Sequence, residues 1–165
     1  MSTMQTSVTT QVHRIWINAT PQAVWDAITD PAWNGRYGYG APGEYDLRPG
    51  GAYRVVPTVQ MIDFGAPDPM IEGEVLEVDP PHRLVQTWHA LFDDATAAEP
   101  PQRLTWELVE QYGATRLTVT HELADAPASA VFTAGDAENA GGGWPHILSD
   151  LKTLLETGRT MAEQA

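Results

Sequence analysis

The strongest constraint on this chain lies near its carboxyl end, where GGGWPHILSDLKTLLETG runs from Gly141 to Gly158. Trp144, Ile147, Leu148, Leu151, Leu154 and Leu155 recur at i, i+3, i+4, i+7, i+10 and i+11 spacing, with Met161 continuing the stripe beyond them and Ser149, Asp150, Lys152 and Glu156 opposite. Pro145 suits a first turn, and Gly158 suits the end of the last one. The stripe predicts a long amphipathic helix over 141–158 whose apolar face must be covered by the rest of the chain.

The cover is predicted to be an antiparallel sheet. Thr9 to Ile17 is β-branched and aromatic with no Gly or Pro, and reads as a strand. Thr20-Pro21 then offers an N-cap and first position for a short helix carrying Val24, Trp25 and Ile28, which Asp30-Pro31 closes. A further turn or helix is expected over Ala32 to Arg36. An aromatic, Gly-punctuated loop follows, and EYDLRPGGAYRVVP reads as a hairpin turning at Pro49-Gly50-Gly51. Met70–Val78, Arg83–Leu91, Gln102–Gln111 and Ala114–Leu123 continue as a meander. In the last strand Leu117, Val119 and His121 share one face, which points His121 inward. Ala124 to Ala140 reads as a connection with a helical turn. Seven strands, short helices after the first and one long terminal helix make an α+β arrangement of a single domain over 9–162, with 1–8 a disordered tail.

Charge and cysteine narrow the function. A net charge of -13 repels phosphate backbones and anionic lipid, so neither nucleic acid nor membrane is an expected partner. With no cysteine and no leader-like or spanning apolar run, a cytoplasmic location is expected. Neither HExxH nor a close His/carboxylate pattern occurs, so no metal and no cofactor are expected; GxSxG is also absent.

The order of elements, together with VHRIWINATPQAVWDAITDPAWNGRY, LRPGGAYR, LTWELVEQYGATRLTVTHEL and GGGWPHILSDLKTLLETG, resembles the START-like (SRPBCC) superfamily from about Gln11 to Gly158. The nearest branch is that of homologues of the activator of the heat-shock ATPase chaperone. The resemblance implies a helix-grip fold, a curved seven-stranded antiparallel sheet around the terminal helix over an internal cavity. It also implies a range of activities: lipid and hormone carriers, polyketide aromatase/cyclases, chaperone activators and self-sacrifice proteins that protect producers of reactive enediynes. Fold alone does not choose among them.

The candidate site rests on side-chain type. Trp88, Trp106 and Trp144, with Met61 and Phe64 in the loop-and-strand region before Pro67, are as a set candidates to line an aromatic cavity, while each taken singly reads first as core packing. Trp33 and Tyr39 stand in the Gly-rich loop that the resemblance places at the entrance. His121 and His146 are the candidate proton-transfer groups, with a hydrogen-bonded structural role as the alternative. For Gly141-Gly142-Gly143 a flexible hinge is expected ahead of phosphate binding or radical quenching. The reading that follows is a monomer or homodimer binding a small hydrophobic, aromatic or polycyclic, polyketide- or lipid-like metabolite between sheet and terminal helix. Its rivals are a cyclase/aromatase using the cavity histidines, a resistance protein for a reactive natural product, and a chaperone-ATPase activator.

Overall fold

The computed structural model describes residues 10–136 and 141–164; the tail expected at 1–8 lies outside them. The seven strands are β1 (Thr10–Ile17), β2 (Gly43–Tyr45), β3 (Ala52–Val55), β4 (Ile71–Asp79), β5 (Arg83–Ala90), β6 (Gln102–Gln111) and β7 (Ala114–Glu122). They form one antiparallel sheet in the order β1-β7-β6-β5-β4-β3-β2. Helices α1 (Pro21–Thr29) and α2 (Pro31–Asn34) follow β1, α3 (Val59–Asp63) joins β3 to β4, and α4 (Asp94–Ala97) joins β5 to β6. After β7 come α5 (Pro127–Ala134) and the long α6 (Gly143–Thr157).

Local chemistry fixes the helix ends. The Thr20 hydroxyl accepts from the Ala23 amide at 3.1 Å, and Pro21 opens α1. Asp30 ends α1 through its own amide and starts α2 by accepting the Ala32 amide at 2.9 Å. The α5 N-cap is Ala126, which has no side-chain acceptor. Glu99, from the β5–β6 connection, takes that place by accepting the amides of Ala128 (2.7 Å) and Ser129 (3.0 Å).

The core is where the α6 stripe meets the inward residues of the strands. Leu148, Leu151 and Leu154 are buried with Leu84, Leu104, Leu108, Leu117, Val119, Trp106 and Trp144 in one cluster. These side chains make the contact between the sheet and α6.

Three expectations change. Met61 and Phe64 lie in and just after a helix, α3, because Thr58 caps it by accepting the Met61 amide at 3.2 Å. Met161 falls outside α6, which ends where Gly158 turns left-handed at φ 82°. The glycine triplet is a packing device: a Cβ on Gly143 would run into Thr133 O, Phe132 O and Gly135 N, so the close approach of α5 to α6 requires glycine there.

Candidate functional site

The helix α3 and the turn behind it shape an open, largely apolar cleft of about 510 Å³, walled by Met61, Phe64, Pro67, Met70 and Phe92. That volume is in the range of ligand pockets. Val59, Ile62 and Phe64 on the same short segment are exposed, Phe64 at 85%.

Phe92 joins this cleft to the interior. Its ring meets Phe132 edge-on at 5.4 Å and Trp88 at 6.4 Å. Trp88 in turn stands edge-on to the His121 imidazole at 4.8 Å, and Trp144 stands edge-on to Trp106 at 5.4 Å. Such T-shaped contacts set the positive edge of one ring against the negative face of another.

Inside the row, His121, Trp144 and Trp106 each have a hydrogen-bond partner. The Trp144 indole N–H donates to His121 Nδ1 at 3.1 Å. An indole nitrogen only donates, so Nδ1 is the acceptor, and the proton on Nε2 is directed to Gln102 Oε1 at 3.3 Å. His121 has no exposed surface. Burial, reinforced by the neighbouring His13, pushes its pKa down to about 3, so it stands neutral at neutral pH. Farther along, Gln86 Oε1 accepts from the Trp106 indole at 3.0 Å and from the Tyr45 hydroxyl at 2.6 Å. Burial raises the pKa values of Tyr45 and Tyr53, whose rings lie 4.5 Å apart.

The remaining candidates sit elsewhere. The Tyr39 hydroxyl accepts from the Gly143 amide at 2.9 Å, and its ring lies 5.9 Å from that of His146. Trp33 is covered on one face by the Arg36 guanidinium at 5.2 Å. Trp33, Tyr39 and His146 are not among the residues lining the α3 cleft. The candidates therefore divide into Met61 and Phe64 at the cleft, Trp88, Trp106, His121 and Trp144 in the buried row, and Trp33, Tyr39 and His146 around the start of α6.

Sequence reasoning missed Phe92, Gln86 and Gln102. Their signals were present as period two: Phe92 continues the face of Trp88 and Ala90, and the two glutamines stand on the faces of Leu84 and Leu104. An amide on an apolar strand face marks a buried hydrogen-bond partner. Among the described residues no group of three His, Asp or Glu is arranged to hold a metal, and no helix is long and apolar enough to cross a membrane.

The family model for activator of Hsp90 ATPase homolog 1-like protein matches residues 18–156. No curated protein is significantly similar to the chain in sequence. Among solved structures, CalU16 from Micromonospora echinospora superposes with a TM-score of 0.62 at 22% identity, over 90% of this chain and 77% of that one. DynU16, described as a putative protein in the dynemicin biosynthetic locus, gives 0.65 at 26% identity over 92% of this chain. The chain spans about half of DynU16, 49% of its length. NE0264 from Nitrosomonas europaea gives 0.66 at 23% identity, over 91% and 96%.

Proposed function

This chain belongs to the activator of Hsp90 ATPase homolog 1-like family, within the START-like helix-grip superfamily, and on that footing we propose that it binds a flat hydrophobic small molecule at the α3 cleft. The observation that carries the reading is the continuity from Met61, Phe64 and Met70 at the mouth, through Phe92, to the edge of Trp88. Methionines adapt to irregular shapes, while aromatic walls favour planar, unsaturated rings over aliphatic chains. The ligand lies against Phe92 and reaches towards Trp88; the hydrogen-bonded row behind keeps Trp88 in place.

Positioning, and not proton transfer, is the role this geometry favours for His121. Both of its ring nitrogens are engaged, and its depressed pKa removes it from acid/base work near neutrality. The position of DynU16 in a biosynthetic locus supports a natural product over a membrane lipid as the ligand class.

The test is an NMR titration of the six tryptophan indole protons with a dihydroxyanthraquinone and, separately, with decanoate. Saturable shifts centred on Trp88 with the anthraquinone are expected, with weaker effects from decanoate. Phe92→Ala is expected to weaken anthraquinone binding by about 2- to 10-fold, the worth of one aromatic contact. Absence of saturable shifts with either probe, or binding indifferent to Phe92→Ala, rejects the proposal.

A further inference from the structure

The strand β1 lies at the edge of the sheet, and a second cleft of about 370 Å³ runs between it and α6, lined by residues including His13, Ile15, Pro145, Leu148 and Lys152. In an antiparallel ladder, alternate residues direct both backbone groups to the neighbouring strand and the others direct theirs away. The Trp16 carbonyl accepts from Lys152 Nζ at 2.7 Å and the Asn18 amide donates to Glu156 at 2.7 Å, so the even-numbered residues of β1 are the outward set. The β1–β7 register is unbroken from Thr10 to Ile17. Val12 and Arg14 therefore present outward amides and carbonyls with no partner among the described residues.

We propose that this open half of β1 takes a short extended peptide by strand addition, with apolar side chains on the groove side and an acidic one opposite Arg14. The groove accounts for the apolar requirement. His13 and Ile15 share the inward face of β1, where Ile15 and Leu148 offer an apolar floor. Arg14 accounts for the charge. Arg14 also borders the cleft, but by the alternation of the strand its side chain stands on the face opposite His13 and Ile15, with its Nε turned to Thr118 at 3.1 Å, and it has no carboxylate within ion-pair distance among the described residues. A second copy of the chain is a poorer occupant. Two β1 edges centred on Arg14 would set like charges opposite one another, and would need the Trp16 and Asn18 groups that α6 already holds.

The probe is a fluorescein-labelled pentapeptide Val-Glu-Leu-Thr-Val, whose antiparallel register sets Glu opposite Arg14 and Leu opposite His13. In the free full-length protein the Val12 and Arg14 amides are expected to exchange with solvent quickly and those of His13 and Ile15 slowly. Saturating peptide is expected to protect the first pair. Val12→Pro removes an outward amide that the β7 ladder does not use, and is expected to weaken binding at least 10-fold with the fold intact. Arg14→Glu is expected to reverse the preference between this peptide and its Glu-to-Lys counterpart, which keeps the test decisive if Val12→Pro does not fold. Slow exchange at Val12 and Arg14 in the free monomer overturns the proposal, whatever covers them. So do peptide-induced shifts confined to the α3 cleft, an unchanged preference in Arg14→Glu, or no binding at millimolar peptide.

Discussion

His121 couples the interior to pH. Unfolded, its imidazole titrates near the ordinary value of 6.5; folded, it does so at about 3, because burial first and His13 second disfavour the charged form. The unfolded chain thus binds the proton more readily between those values. The stability contributed by the neutral ring is complete above about pH 6.5 and is lost as pH falls towards 3, with a limiting slope of about 1.4 kcal/mol per pH unit for one proton. Burial also lowers the pKa of His13, which adds in the same sense. His121→Leu is expected to cost about 1–3 kcal/mol at pH 7, since the Trp144 indole loses its acceptor, and to flatten the decline between pH 7 and pH 5. Urea denaturation of both proteins at those pH values measures it; an equal decline in the two would rule it out. The inward face of His121 was legible from the period of LTVTHEL. Its partners were not, because Gln102 and Trp144 meet it only across the fold.

The elements differ in how much of their cause is local. The α6 stripe and the five longer strands repeat a period, and a period is visible in the sequence. The short helices α3 and α5 were harder to see, since a few residues give little periodicity and the α5 N-terminus is satisfied by a glutamate from another connection. Glu99→Ala is expected to cost about 1–2 kcal/mol and to speed amide exchange at Ala128 and Ser129, because two amides and the Ser129 hydroxyl lose their acceptor. Unchanged exchange at those amides would show that the cap is unimportant. Two glycine substitutions separate conformation from space. A Cβ on Gly158 meets nothing within 4 Å, so Gly158→Ala carries only the left-handed backbone cost of about 1 kcal/mol. Gly143→Ala adds backbone collisions with α5 and is expected to cost at least twice as much. Thermal melts of the two variants make the comparison, and equal losses would contradict the packing role given to Gly143.

At the scale of the molecule, the chain combines a net charge of -13 with Arg–carboxylate pairs that are largely exposed. Such pairs contribute little individually, whereas the excess negative charge repels itself throughout. Raising NaCl from about 10 mM to about 500 mM is therefore expected to stabilise the fold by about 1 kcal/mol, or ~2–4 °C in melting temperature. A fall in melting temperature would mean that the pairs outweigh the repulsion. The seven-strand sheet and its terminal helix were foreseeable, but the openings were not. Whether a set of large side chains leaves a hollow or fills it depends on how they interdigitate across the fold, which a period along the chain does not record. The seam between β1 and α6 has one more consequence. Lys152, whose ammonium fastens α6 to Trp16 and to Glu156, is the sole lysine of the chain. Among side chains, amine-directed dyes, crosslinkers or resin coupling find that one target, so attaching the protein through Lys152, and not through a terminal amine, undoes the clip that holds the sheet edge to the helix.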